Sequence, residues 1–263
     1  MNLVTRSGTL LRSHPYSESS RILRFLTPDA GVVAVMARGA RRQASKGGGP
    51  MDLFDEVEIT YGHRADRDLH TLREYRAVTR RRELGADLVR FGGASFLAEL
   101  ILTHTLEEAS PELHTRLGRG LDALRAADPG AVPGELMAAG WGLLAAFGFP
   151  PEVEHCVRCG GTTSGEGMGR FDVAGGGLRC PSCARGGTGP RLGPGARTEL
   201  REVLSGTPPT PLRGAPAHFQ LLERFAIYHL DRRRPFLSSA TLLPLLEAAG
   251  EPVEGSEDES GKG

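Results

Sequence analysis

The sequence predicts an α+β protein with more than one domain: a small five-stranded β-barrel, then an all-helical domain with an inserted four-cysteine segment. Three observations predict this arrangement. Short β-branched and apolar runs separated by turn residues fill the first third of the chain, helix-spaced apolar residues follow, and two Cys-x-x-Cys pairs lie in a glycine-dense stretch. We predict the barrel at residues 1–82, the helical domain at 83–245 and an acidic, disordered tail at 246–263.

Five strands are expected in the first domain, at residues 8–12, 20–26, 32–37, 55–61 and 69–78, with turns at 14–15, 28–31 and 47–50. Val57, Ile59 and Tyr61 alternate with polar residues, as in a half-buried strand. The strand count and domain size match an oligonucleotide-binding barrel, although a small sandwich has the same sequence signature.

From Glu83 onward the apolar residues recur at helical spacing, with Phe96, Leu97, Leu100 and Ile101 on one face. Ser110 is a predicted N-cap followed by a proline at the first helical position. The sole tryptophan is expected in the core. Further helices are predicted at residues 111–127, 134–147, 194–204, 216–232 and 238–249.

The four cysteines form the strongest motif. Two residues separate Cys156 from Cys159 and Cys180 from Cys183, and twenty residues separate the pairs. Two intervening residues allow a tight turn to direct both thiolates at one metal ion. The spacing predicts one structural zinc ion in a ribbon or knuckle at about residues 152–190. Four sulfurs fill a tetrahedral shell and leave no open position for water, so this zinc is not expected to be catalytic.

Other uses of these cysteines are less well supported. Two disulfides are the main alternative, but nothing in the sequence indicates an oxidising compartment. A thioredoxin-like redox pair lacks the flanking strand and helix. His155 could compete as a ligand, but four sulfurs already complete the shell. The segment has few apolar residues, so metal binding is expected to supply its folding free energy.

Charge is segregated along a chain of zero formal net charge. Residues 1–82 carry 15 Lys or Arg against 9 Asp or Glu, and residues 83–150 carry 4 against 9. Residues 151–246 carry 12 against 8, and residues 247–263 carry 1 against 6. This asymmetry suggests an N-terminal module that meets an anionic partner, although solvated surface charge would have the same pattern. No apolar run approaches the roughly 18 residues of a spanning helix, so we expect a cytoplasmic protein without membrane contact.

Basic residues in the first domain are candidates for phosphate binding. A glycine-rich loop with Arg38, Arg41, Arg42 and Lys46 follows the third strand and is suited to clamp a backbone. Arg80, Arg81 and Arg82 extend the basic run at the exit of the last strand. The candidate aromatic faces for bases are Tyr16, Phe54, Tyr61 and Tyr75, of which Phe54, like Phe25, is expected in the core. The predicted nucleic-acid-binding residues are Arg38, Arg41, Arg42, Lys46, Arg64, Arg67, Arg73, Arg76 and Tyr16.

Motifs of common enzyme classes are missing. The sequence contains no GxxxxGK[ST] phosphate loop, no GxSxG nucleophile elbow and no HExxH helix. It also lacks the His-x-Glu partner that a zinc deaminase needs. The eight histidines are dispersed without a companion constellation. The sequence therefore predicts no catalytic residues.

In order and spacing, several short motifs resemble the RecO recombination-mediator family. They are YSESSRIL at 16–23, FLT at 25–27 with Gly31, ARGARR at 37–42, GFPP at 148–151 with Cys156, Cys159 and Gly160, and FAIYHL at 225–230. The resemblance extends from about residue 3 to residue 245. The chain departs from the family pattern at Ser17, where glycine is usual, and at Arg38, where lysine is common.

The resemblance implies a non-enzymatic mediator of recombinational DNA repair. Such a protein binds single- and double-stranded DNA, anneals complementary strands without ATP, and with RecR helps recombinase replace single-strand-binding protein. It would be cytoplasmic and nucleoid-associated. Some members lack the cysteines, which implies that zinc supports the fold rather than the shared activity. The alternatives are an RNA-binding barrel plus zinc-ribbon protein of translation or transcription, and an adaptor whose charged segments bind only proteins.

Overall fold

Strands with alternating burial build the N-terminal domain in the computed structural model, which describes residues 2–38, 50–64, 66–104 and 109–250. In β4 (Glu56–His63) the side chains of Val57, Ile59 and Tyr61 are buried, and the polar residues between them are half-buried. One face of β4 therefore supplies part of a small apolar core, as the alternation of its residues predicts.

The five strands close into a barrel in the order β1-β2-β3-β5-β4, with β4 returning to β1. The other four strands are β1 (Asn2–Pro15), β2 (Ser20–Thr27), β3 (Gly31–Arg38) and β5 (Leu69–Thr79). The first half of β1 pairs with β4 and the second half with β2, and a register shift at Leu10–Arg12 separates the two halves. A long first strand that bends at an irregularity lets a five-stranded sheet close.

All five predicted strands are confirmed. Each observed strand includes residues beyond the run of apolar residues that predicted it. The turn expected at His14 and Pro15 is wrong, because Pro15 ends β1, pairs with Arg21, and the turn occupies residues 16–19. Proline is tolerated at a strand terminus, where its missing N–H costs little of the ladder. Residues 47–49 of the predicted third turn lie outside the described residues.

Six helices follow a short 3₁₀ turn at Arg82–Gly85 within the described residues. They are α1 (Leu88–Thr103), α2 (Pro111–Ala126), α3 (Val132–Ala146), α4 (Pro194–Leu204), α5 (Ala215–His229) and α6 (Ser239–Gly250). Ser110 caps α2 through a 3.4 Å bond from the Leu113 N–H to its hydroxyl, with Pro111 in the first turn, as predicted. Residues 246–250 belong to α6, so the predicted tail begins too early. The rest of the tail, 251–263, lies outside the described residues.

Aromatic side chains form the centre of the helical core. Trp141 is 1% exposed and its ring lies 5.0 Å from that of Phe225, which confirms the core assignment. Phe96 of α1 packs edge-on against Phe219 and Phe236 at 4.9 and 5.1 Å. These edge-to-face contacts join α1, α3, α5 and the segment before α6 into one core.

The cysteine segment packs against this core rather than standing apart. Its three short strands, β6 (Gly169–Asp172), β7 (Gly177–Arg179) and β8 (Arg191–Leu192), form a sheet in the order β7-β6-β8. Phe171 and Leu178 have no exposed surface, and the Phe171 ring lies 6.2 Å from Trp141. A few large side chains thus bury the apolar face of the segment against the helical core. That metal binding supplies folding free energy to the segment stays a prediction.

Arg81 joins the barrel to the helices. Its side chain is 1% exposed and binds both carboxylate oxygens of Asp122 in α2, at 2.8 and 3.2 Å, and the Phe54 carbonyl at 2.9 Å. Its backbone N–H donates to Asp55, which is fully buried. Leu11 and Leu26 of the barrel belong to the same apolar cluster as the helices. The two parts are thus held by a buried charge network within a shared core.

No helix in the described part of the chain combines the length and the apolar composition needed to cross a bilayer.

Replacing Arg81 should loosen this junction strongly. We expect Arg81→Ala to lower the free energy of unfolding by about 3 kcal/mol, because the change leaves the Phe54 carbonyl without its donor and breaks the ion pair with Asp122. Arg82→Ala is the matched control: Arg82 is 62% exposed and lies 3.4 Å from Asp52, so the loss should stay below about 1 kcal/mol. Urea unfolding would measure both. Equal losses for the two variants would show that the junction does not depend on Arg81.

Candidate metal centre and nucleic-acid interface

The four cysteines meet at one point. The Sγ atoms of Cys156, Cys159, Cys180 and Cys183 all lie within 4.8 Å of one another, and those of Cys159 and Cys180 are 3.9 Å apart. Zinc–sulfur bonds of about 2.3 Å in a tetrahedron place sulfurs about 3.8 Å apart. None of the four cysteines is in a disulfide bond, so each sulfur is free to bind a metal ion. The disulfide alternative would need the four cysteines to be joined in two pairs. The cluster is therefore compatible with one zinc ion.

Two tight turns create this geometry. The Gly160 N–H donates to the Cys156 carbonyl at 2.8 Å, and the Cys183 N–H donates to the Cys180 carbonyl at 3.0 Å. Gly160 has φ of +72°, a left-handed conformation that glycine adopts without strain. The Cys180 N–H donates to the Cys156 sulfur at 3.3 Å and so links the two turns. Each pair thus aims two sulfurs inward, as the spacing predicts.

The thiols differ in their readiness to ionise. Burial of Cys156 opposes its ionisation and so raises its pKa. Hydrogen bonds from backbone N–H groups, those of Cys180 and Arg158 foremost, have the larger effect and lower the pKa to about 6. Hydrogen bonds with Cys159 and then Cys180 raise the pKa of Cys183 to about 12. A cluster of sulfurs thus resists losing all its protons unless a cation is present. A bound metal ion supplies that positive charge, so metal binding would release protons.

Arginines of α4 hold the cysteine segment by its carbonyl groups. Arg197 is 1% exposed and donates to the carbonyls of Gly167 at 2.7 Å and Leu192 at 3.0 Å. Arg201 donates to the Val153 carbonyl at 3.1 Å and to the Thr163 hydroxyl at 2.7 Å. Three of the four acceptors are backbone carbonyls of the cysteine segment, which need donors where they are buried. The orientation of the metal site is thus fixed by α4 as well as by the apolar core.

A basic groove opens on the barrel surface. Four predicted DNA-binding residues, Arg38, Arg64, Arg67 and Arg73, line a cavity of about 390 Å³. The parallel pairing of β3 with β5 brings these arginines together. Met36 pairs with Thr71, so the end of β3 lies beside the start of β5. No carboxylate lines the cavity among the described residues. The groove is therefore a site of concentrated positive charge suited to phosphate.

Two histidines lie beside the groove. The His70 ring, part of its lining, stacks on Tyr61 at 5.1 Å with an interplanar angle of 16° and lies 4.8 Å from the His63 ring. Burial, and then the neighbouring His63, lower the pKa of His70, although Asp68 opposes them. His70 is therefore mainly neutral at pH 7, and the positive charge of the groove comes from its arginines.

The remaining predicted residues are placed differently. Arg76 is exposed but forms an ion pair with Glu58 at 3.4 Å, outside the groove. Tyr16 is 61% exposed in the β1–β2 turn, where its N–H bonds to Ser20, and Ser20 is the β-sheet partner of Arg38. Tyr16 thus lies one strand away from the groove. Arg41, Arg42 and Lys46 lie outside the described residues.

Several expectations for the basic and aromatic surface are corrected. Tyr61 and Tyr75 are buried in the barrel core at 1% and 9% exposure, so they cannot stack with bases, and Phe54 is buried as expected. Arg81 is not part of a basic surface because its guanidinium is enclosed at the junction. Arg80 is ion-paired with buried Asp55 at 2.7 Å. Strand position alone did not reveal which side chains point inward after the last barrel strand.

Sequence reasoning missed the histidine pair and the α4 arginines. His63 and His70 flank the connection between β4 and β5, where Gly62 lies opposite Thr71, so the antiparallel pairing of these strands was a usable signal. Arg197 and Arg201 are four residues apart on one face of α4. Nothing in their spacing identified the distant carbonyls that they bind.

Comparisons with known proteins agree with this architecture. Residues 1–81 match the family model described as Recombination protein O N terminal, and residues 85–235 match Recombination protein O C terminal. A DNA repair protein RecO of Anaeromyxobacter sp. (strain K) is 35% identical over 263 residues, which cover 94% of this chain and 100% of that relative.

Proteins of two further organisms are also similar to this chain. A DNA repair protein RecO of Rubrobacter xylanophilus is 34% identical over 212 residues, covering 78% of this chain and 82% of the relative. One of Nocardioides sp. is 30% identical over 233 residues, covering 85% and 93%. The similarity thus includes both the barrel and the helical domain.

Removing two ligands should abolish metal binding without dissolving the core. We expect the purified chain to bind one metal ion and Cys156→Ser with Cys159→Ser to bind none, because two sulfurs do not complete a structural site. Hydrogen exchange should increase at the two turns more than at β6 and β7, whose Phe171 and Leu178 stay buried. Elemental mass spectrometry measures the metal.

The control for the metal experiment is His155→Ala. The His155 side chain is 61% exposed beside the first ligand and lies outside the four-sulfur cluster. This variant should keep its metal. Retention of one metal ion by the double serine variant would contradict the four-cysteine site.

Proposed function

This chain belongs to the RecO family of DNA repair proteins, and from that premise we propose that it is a DNA-binding recombination mediator that anneals complementary strands without ATP. The observation that carries the proposal is the groove, where four arginines converge on a closed barrel and no carboxylate of the described residues belongs to the lining. With RecR as partner, the protein would help load recombinase onto DNA coated by single-strand-binding protein. It would act on the nucleoid in the cytoplasm.

Annealing requires that the negative charge of two phosphate backbones be neutralised, and the arginines of the groove can supply this positive charge. Two phosphate backbones repel each other, and a protein that neutralises phosphates lowers that repulsion while the base edges stay free to pair. Arginine suits this task because its planar guanidinium remains charged and binds phosphate oxygens in pairs. Tyr16, exposed one strand away, offers a ring on which a base can stack. None of these steps requires covalent chemistry, so we propose no catalytic residues.

We further propose that the metal is zinc and that its role is structural. Cys156, Cys159, Cys180 and Cys183 would hold one ion, which cross-links the two turns when bound. Their four thiolates fill the coordination shell, so no position remains for a substrate or water. The residues of the cluster lie on the helical domain, whereas the groove lies on the barrel. DNA binding by the barrel should therefore depend on the metal only weakly.

Strand annealing by the purified chain tests the proposed function. Two complementary labelled oligonucleotides are mixed without ATP, with and without bound single-strand-binding protein, and pairing is followed by energy transfer. We expect the chain to accelerate pairing in both cases, because it screens the phosphates. A chain that binds structured RNA tightly but anneals no DNA would be an RNA-binding protein, and one that binds neither would be an adaptor. Either result would contradict the proposal.

Charge reversal in the groove should reduce the salt dependence of binding. We expect Arg64→Glu with Arg67→Glu to weaken binding of a single-stranded oligonucleotide and to reduce the slope of log affinity against log salt, by about 0.7 per lost phosphate contact. Arg24→Glu is the control, since Arg24 is exposed on β2 and lies outside the cavity. Fluorescence anisotropy across a salt series gives the slopes. An unchanged slope in the double variant would exclude the groove.

A further inference from the structure

The exposed side of α5 carries an aromatic ring beside basic residues. Tyr228 is 56% exposed, and Arg224, one helical turn earlier on the same face, is also exposed. The opposite face of the helix is buried in the core through Phe219, Leu222 and Phe225. Two more exposed arginines lie four and five residues after the end of the helix. We call the set the α5 surface; it consists of Arg224, Tyr228, Arg233 and Arg234.

The Tyr228 ring has a fixed neighbour. His229 lies 5.0 Å from it, edge to face, and packs on Phe225 at 4.1 Å. The Nε2 atom of His229 lies 2.9 Å from the carbonyl oxygen of Val173, in the turn between β6 and β7. The cysteine segment therefore braces the side of α5 that presents Tyr228. An exposed ring held against a rigid support loses little entropy when a ligand stacks on it.

The arginines of this surface have no acidic partner among the described residues. The salt bridges in the described part of the chain include none of Arg224, Arg233 and Arg234, whereas neighbouring Arg232 is paired with Glu99 at 3.3 Å. Asp172, which lines the same 950 Å³ cavity as Arg224 and Tyr228, is already engaged by Arg179. Asp231 is exposed and also lines this cavity, so it contributes one negative charge beside the three arginines. A net positive charge remains to meet an anionic ligand.

The α5 surface belongs to the helical domain, whereas the groove belongs to the barrel. Arg232, beside the α5 surface, bonds to Glu99 and Thr103 near the end of α1. The barrel contacts the start of α1, where Phe54 lies 5.7 Å from Phe91. α1 has 16 residues, a length of about 24 Å. The barrel therefore packs near the start of α1 and the α5 surface lies near its end, so the two domains present separate positive surfaces to nucleic acid.

We propose that the α5 surface is a second nucleic-acid contact, which binds the second strand while the groove binds the first. Arg224, Arg233 and Arg234 supply the phosphate contacts, and Tyr228 supplies a stacking face for one base. The proposal rests on the proposed function, since annealing requires one protein or assembly to hold two strands. It adds a residue set on the helical domain that a basic barrel alone does not provide.

Two variants test this surface directly. Arg224→Glu with Arg233→Glu and Arg234→Glu should slow annealing about tenfold or more, because repulsion replaces three phosphate contacts. Affinity for one short labelled strand should change little, because the groove still binds it. Tyr228→Ala should also slow annealing, by about tenfold for one lost stacking contact. All four residues are exposed, so circular dichroism melting should show wild-type stability.

Matched controls separate the ligand contacts from general charge effects. Tyr228→Phe keeps the ring and should anneal as the wild type does. Arg116→Glu changes an exposed arginine on α2, away from α5, and should have little effect on annealing. A photoactivatable bromouracil strand should cross-link to Tyr228, and mass spectrometry identifies the modified peptide. The cross-link reports contact without depending on activity.

Each outcome decides the inference separately from the proposed function. If the wild type anneals and the triple and Tyr228→Ala variants anneal equally fast, the α5 surface is not a second contact, while the proposed function stands. If the wild type does not anneal, the proposed function fails, and absence of an adduct at Tyr228 then overturns this inference as well. A surface that binds an acidic peptide but leaves annealing unchanged and forms no adduct would be a protein-docking site, which also contradicts the proposal.

Discussion

The buried guanidinium of Arg81 is the constraint on which the arrangement of the two domains depends. An arginine that is 1% exposed must have its donors satisfied, and here the partners come from the loop before β4 and from α2. These segments cannot move apart without leaving a buried charge unpaired. Leu11 and Leu26 share an apolar cluster with the helices, which adds stability. This cluster does not by itself fix the orientation of the two domains, because hydrophobic attraction is non-directional. The ion network therefore selects one orientation, and the position of the groove relative to α5 follows from it.

Arginine serves two opposite purposes in this molecule. Arg81, Arg197 and Arg201 donate to carbonyls or carboxylates of the protein itself and thereby hold distant segments together. Arg64 and Arg67 instead line a cavity without a lining carboxylate among the described residues, so their charge is directed to solvent. The same planar group suits both uses because it forms several hydrogen bonds while staying charged. The proximity of an acceptor within the fold decides which use applies.

The cysteine segment is held by three kinds of interaction. Phe171 and Leu178 bury its apolar face against Trp141, the α4 arginines bind its carbonyls, and the four sulfurs gather at a point suited to one metal ion. Packing fixes the position of the hairpin, so a bound metal ion has mainly the two turns left to order. Through the contact between Val173 and His229, the same hairpin supports the side of α5 where Tyr228 is exposed. The metal site and the α5 surface thus share one scaffold.

Local chemistry allowed much of this protein to be predicted from sequence alone. Short apolar runs between turn residues predicted the five strands, and Ser110 with Pro111 marked the start of α2. The spacing of the four cysteines predicted that they meet. Each of these signals depends on neighbouring residues. Strand pairing was needed to bring Arg38 beside Arg73 and His63 beside His70. Only the tertiary structure decided that Arg81 is buried and that Phe171 belongs to the helical core. Burial is a property of contacts between distant segments, and Arg81 lies 41 residues from Asp122, so no local pattern records it.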